Sequence, residues 1–161
     1  GVFIGRRYKS GYTEAKYNNI DYITITSNGN SADFGDLLSD NSTRFEHAVG
    51  PHSTRAIVAG GYNGTAATDY RIPTNRIDYI TISTTGNSTN FGNLTVARGS
   101  LGGSGNGERV CFAGGYNGDT AVGYNVIDYK SAISSANAVD FGDMTSTSNQ
   151  YGGPSGSGSG A

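Results

Sequence analysis

The chain has 161 residues, enough for one ordinary domain or a run of repeats, and its net charge of −2 gives no basic footprint for nucleic acid or an anionic membrane. Hydrophobic residues make up only 35% and glycines number 26, so a core would come from many small cross-strand contacts rather than from thick helices. The apolar runs are a few residues long, far short of the roughly 20 that span a bilayer, and membrane insertion is not expected. The single Cys111 excludes an internal disulfide. The chain opens at Gly1, without a methionine or a signal peptide, as expected of a processed protein or a piece of a longer one.

In chain order, a first strand is expected over Val2–Ile4, a short β-branched and aromatic run ending in the phrase GVFIGRRY. Related phrases, RAIVAGGY and RVCFAGGY, follow, and their closing Tyr8, Tyr62 and Tyr116 lie 54 residues apart (62−8 and 116−62). The first strand therefore returns at Ala56–Val58 and Val110–Phe112, with Cys111 in the place of Phe3 and Ile57. Gly60–Gly61 and Gly114–Gly115 come next, where glycine permits positive φ or a close backbone approach; Arg6–Arg7 stands there in the first repeat.

A variable loop follows each tyrosine. From Tyr8 to Ile20, Tyr62 to Ile77 and Tyr116 to Ile127 the gap is 12, 15 and 11 residues, so length changes fall in one loop per repeat and on one face of the array. The loops hold Tyr12, Tyr17, Tyr70 and Tyr124 among Asn, Gly, Thr and Ala. This is the composition of adaptable recognition surfaces, and the four tyrosines are the candidate ligand-binding residues. The plainer alternative is that they pack on their own strands.

The second strand is expected from Ile20, Ile77 and Ile127. Ile23 and Ile25 share one face, as do Ile80 and Ile82, with threonines between them. Asn28-Gly29-Asn30 and Thr85-Gly86-Asn87 have hairpin-turn chemistry. Phe34, Phe91 and Phe141 each lie 14 residues after their isoleucine (34−20, 91−77, 141−127), a constancy that fixes the register and makes them candidate core residues. Helical periodicity of useful length is absent. The expected class is all-β, one domain over 1–161 with repeats about 1–54, 55–108 and 109–161, and a Gly/Ser-rich tail at 152–161.

The sequence Gly60-Gly61-Tyr62, Ile77-Asp78-Tyr79, Thr85-Gly86-Asn87, Phe91, Leu94 and Arg98 resembles the kelch β-propeller pattern, and the resemblance covers nearly the whole chain. Phe stands where that pattern usually has Trp. Counted from the isoleucines, Asn41 and Ser148 fall at the place of Arg98. The phrase IDYITI, with TTGN and FGNLTVAR behind it, is similar to kelch-like repeats of structural and tail-fibre proteins of tailed phages, notably marine cyanophages. The resemblance implies blades of antiparallel sheet with binding loops between them. Three blades are too few for a closed ring, so a homo-oligomer or a longer repeat array would complete it. Lys130 and Ala132, in place of the isoleucines of the other repeats, are changes of the kind seen at array ends.

Chemistry-bearing patterns are sparse. His47 and His52 are the only histidines and read as solvated loop residues. Cys111 could serve the copper site of a kelch-fold oxidase, but its strand position reads as a buried apolar side chain. Asp21, Asp78 and Asp128 recur with the period and are expected to hydrogen-bond the adjacent turn. No catalytic residue, metal or cofactor is assigned. The expected function is a structural or adhesive module of a virion, extracellular, displaying loops toward a host-surface glycan or protein alongside other virion proteins. An intracellular kelch-type interaction scaffold and a kelch-fold oxidase or lyase are the alternatives.

Overall fold

A computed structural model describes residues 1–4, 8–10, 13–15, 18–38, 43–65 and 68–148. Those residues are all-β, in several antiparallel sheets of which none closes on itself. The first sheet holds β1 (Val2–Ile4), β4 (Asn19–Tyr22) and β5 (Ala32–Asp36), with β2 (Tyr8–Ser10) and β3 (Thr13–Ala15) as a separate hairpin between β1 and β4. β6 (Thr43–Phe45) leads on to the second sheet, built in the order β12 (Thr89–Asn93), β11 (Arg76–Thr81), β8 (Arg55–Ala59) and β7 (Ala48–Pro51). β9 (Tyr62–Thr65) and β10 (Thr68–Pro73) form the hairpin between β8 and β11, and β6 pairs with β9. The third sheet runs β13 (Gly102–Gly105), β14 (Arg109–Ala113), β16 (Val122–Ser131), β17 (Val139–Ser148), and the short β15 (Tyr116–Asn117) pairs with the start of β16.

The constant Ile-to-Phe spacing produces one hairpin register three times. Ile20 faces Gly35, Ile77 faces Gly92 and Ile127 faces Gly142, and a bulge follows each of these pairs. The glycines sit at φ 142°, 116° and 134°, a region that a side chain disfavours. The glycine after each phenylalanine is thus the residue that bends the outer strand.

The pairing of β1 corrects the alignment of the first repeat. Ile4 faces Ile20, whereas Ala59 faces Ile77 and Ala113 faces Ile127. The structural counterpart of Cys111 and Ile57 is therefore Val2, not Phe3, and Phe3 corresponds to Val58 and Phe112. Gly5–Arg6 then falls at the place of the later glycine pairs, and the extra residue lies between β1 and Tyr8, outside the described residues.

Two apolar clusters fill the joints between sheets. Ile20, Phe34 and Leu37 of the first sheet pack with Ala56, Val58 and Ile80 of the second. Ile57, Ile77, Phe91 and Leu94 of the second pack with Val110, Phe112 and Ala132 of the third. Each sheet thus turns one face toward its predecessor and the other toward its successor, as the period of two along a strand requires. Phe34 and Phe91 are 4% and 2% exposed, in the core as expected. Phe141 is 61% exposed and is not a core residue. Its ring stands against Tyr129 at 5.6 Å, as Phe34 does against Tyr22 at 6.0 Å, but no further described sheet lies over it. Strands end earlier than the isoleucine pattern suggests: Ile80 is buried, while Ile25 and Ile82 lie beyond the strand ends and are exposed.

A buried arginine locks each joint. Arg44 donates from Nε to the Gly60 carbonyl at 2.6 Å, from Nη2 to the Val58 carbonyl at 3.1 Å, and from Nη1 to Asp78. Arg98 repeats the set on the Gly114 carbonyl at 2.7 Å, the Phe112 carbonyl at 3.1 Å and Asp128 at 2.9 Å. Arg98 does have a counterpart in the first repeat: it is Arg44, which lies 16 residues before Gly60 just as Arg98 lies 16 before Gly114. The aspartates, for their part, serve the joint more than a neighbouring turn. Asp128 accepts from Arg98 and from the Thr95 amide and hydroxyl, all of the preceding unit. Burial pulls the Arg44 pKa down to about 10 against the opposing pull of Asp78, which leaves it charged at neutral pH.

Candidate functional site

The variable loops fold as hairpins that leave the sheets at one end. Gly60 and Gly61, at φ 63° and 100°, turn the chain out of β8 into β9, and Gly114 and Gly115, at 65° and 108°, do the same after β14. Hydrogen bonds from Gly61 N to the Arg98 carbonyl and from Thr74 N to the Gly61 carbonyl, both 2.9 Å, fasten the base of the second hairpin. The joint arginines thus stand directly beneath the loops, and the rigid part of each repeat ends where the variable part begins.

The hairpins of the second and third units touch. Tyr62 is fully buried between them, and its hydroxyl donates to the Tyr116 carbonyl at 2.7 Å. The Arg71 guanidinium lies 5.5 Å from the Tyr62 ring centroid and pairs with Glu46 Oε2 at 3.1 Å. The Ser100 hydroxyl donates to the same oxygen at 2.6 Å. Glu46 and Ser100 are repeat counterparts, each two residues after its joint arginine and each at positive φ, 53° and 56°. The backbone turns there from the loop face back toward β7 and β13. Gly118 packs against Arg71 and Tyr62, where a β-carbon would clash. Asn117 Oδ1 accepts from the amides of Asp119 and Thr120 and closes the β15–β16 turn. Ile72 and Val122 are exposed apolar side chains on these two hairpins.

Of the four candidate tyrosines, Tyr124 is half-buried near the start of β16, its amide bonded to the Gly115 carbonyl at 2.9 Å. Tyr70 lies in β10, and its side chain is outside the described residues, as are Tyr12 and Tyr17 altogether. The structure therefore brings the Tyr124 and Tyr70 strands to one end of the molecule and leaves the other two unplaced. Arg71 and Glu46 were not singled out from the sequence; a single Arg in a polar loop carries no signal until its ring and carboxylate partners are in view.

Neither histidine belongs to a cluster. Among the described residues no three His, Cys, Asp or Glu side chains come together in a way that could hold a metal ion. His52 Nδ1 accepts from the Thr54 amide at 3.2 Å in an exposed turn. His47 is not the solvated residue expected. Burial first, and the Arg44 charge second, hold its pKa down to about 3, so it is neutral. Cys111 is half-buried on the outer face of the third sheet, and desolvation pushes its thiol pKa up, away from a reactive thiolate. No protein-family model and no curated protein matches the chain.

Proposed function

We propose that the chain is a kelch-like structural and adhesive module, a partial β-propeller whose blades hold variable hairpins toward a glycan or protein on a host surface, as part of a virion appendage. The blade reading is supported by sheets of one strand order packed face to face, with β7 and β13 side by side at the inner edge. The display reading rests on one observation above all. The residues of the joints recur from unit to unit, while the hairpins above them differ in length and sequence yet stand in contact as one surface. Fixed joints beneath variable, Tyr- and Asn-rich tips are what a binding scaffold requires. The resemblance to repeats of tailed-phage structural proteins supplies the virion setting.

The test is capture of host cell-surface glycans and proteins by the chain and by two variants. One replaces residues 64–72 with a Gly/Ser linker of equal length; the other is Tyr124→Ala. Loss of capture by the first and at least severalfold weakening by the second, with unchanged melting, is the expected outcome. Undiminished capture by both would remove the display reading.

A further inference from the structure

The joint between units has a second, polar component besides its apolar cluster. The turn of one unit plugs the outer strand of the unit before it. Gly86 N donates to the Phe34 carbonyl at 2.6 Å, Ser88 N to the Asp36 carbonyl at 2.8 Å, and the Asp36 amide to Asn87 Oδ1 at 2.9 Å. At the next joint Ala138 N donates to the Asn93 carbonyl at 2.8 Å and the Asn93 amide to Asn137 Oδ1 at 3.1 Å. The bulge glycines make room for this plug: Gly35 lies against the Gly86 backbone and Gly92 against the Ala136 backbone.

The same two halves are left uncovered at opposite ends of the described array. At the far end, Phe141 is 61% exposed, a β-carbon on Gly142 would meet nothing within 4 Å, and the Asp143 amide stands in the register of Asp36 and Asn93. At the near end, Phe3 is 57% exposed, although its counterparts Val58 and Phe112 are fully buried. Asn30, the counterpart of Asn87 and Asn137, is exposed on a turn that meets no other described unit.

We infer that the third-unit face around Phe141 and Gly142 docks the first-unit face around Phe3 and Asn30 of a second copy of this chain. The occupant follows from continuity with an interface the chain already makes twice: each half is the shape and hydrogen-bonding complement of the other. Asn30 Oδ1 of one copy accepts from the Asp143 amide of the other, and Phe3 covers the Phe141 ring. The contact is heterologous, so copies join head to tail, into a ring if the rotation closes and into a longer array if it does not. It is weaker than the internal joints. No arginine or lysine follows Lys130 in the sequence, so Asp21 meets no counterpart of Arg44 or Arg98. This inference does not depend on the display reading.

Sedimentation equilibrium from low micromolar to several hundred micromolar chain tests it. Mass should rise above 16.7 kDa with concentration. Phe141→Gln and Phe3→Gln change exposed residues, so each should melt like the parent and yet remain monomeric alone. Mixed together they should form a one-to-one dimer that grows no further, because each retains the half that the other has lost. Cys111, on the third-unit face beside Tyr129, should be alkylated severalfold more slowly in the associated parent than in either variant alone. A parent chain that stays at 16.7 kDa throughout, single variants that still associate, or a mixture that stays monomeric would each overturn the inference.

Discussion

At the scale of single residues, the two joint arginines carry the most concentrated chemistry in the molecule. The Arg98–Asp128 pair is fully buried, and each arginine also satisfies two main-chain carbonyls of the unit after it. Removing one partner leaves an uncompensated charge in the joint, so Arg98→Met should destabilise the chain by about 3–5 kcal/mol. Adding Asp128→Leu should recover part of that loss, read from urea unfolding of the single and double variants. No recovery would mean that the carbonyl contacts, not the ion pair, hold the joint. Lys130 gives a second, pH-dependent test. It takes the strand position of Ile80, donates to the Phe91 carbonyl and lies 3.4 Å from that ring's centroid. Burial first, and Arg55 second, lower its pKa to about 8 from 10.5. The unfolded chain therefore binds more protons between those values, and stability should rise as the pH climbs from about 8 to 10.5. Below pH 8 the full penalty of the buried ammonium remains. Lys130→Ile should melt higher than the parent at neutral pH and lose that alkaline rise; an unchanged rise would assign it to other groups.

At the scale of elements, the hairpin was legible in the sequence and the joint was not. A 14-residue spacing with Ile at one end and Phe at the other is a local signal, because strand pairing across a short turn preserves it. The role of the turn residues was hidden, since Asn87 and Asn137 act on a strand of another unit. Arg44 was missed for a related reason. It keeps its distance to Gly60, which it bonds, and not to Ile20, so counting from the isoleucine put Asn41 at its place. Phe141 shows the opposite failure. A repeat pattern assigns the same role to the same position, but burial depends on whether a neighbour is present. The turn asparagines separate these effects. Asn137→Ala removes the acceptor of the Asn93 amide and should cost about 1 kcal/mol, whereas Asn30→Ala should cost nothing measurable in dilute monomer. Thermal melts at low concentration check the pair, and equal effects would show that the asparagines act within their own turns instead.

At the scale of the whole molecule, the described units form a row in which the second is covered on both faces and the first and third on one each. No cluster of the core joins the first sheet to the third. Stability in such an array is approximately a sum of unit and joint contributions, and a change at one joint is felt mainly on its own side. Phe91→Ala tests this. It empties the second joint of its largest ring and removes the surface that Lys130 and Arg55 cover, a loss on the order of 3–5 kcal/mol. The first joint, with Phe34 and Leu37 against Val58 and Ile80, is untouched. In the parent, hydrogen exchange should be slowest in β8 and β11, the paired central strands of the middle unit. In Phe91→Ala, exchange should quicken strongly in β14 and β16 while β4 and β5 keep nearly their original protection. A uniform acceleration across all three units would mean that they open as one block, and the description as separable units joined in a row would have to be given up.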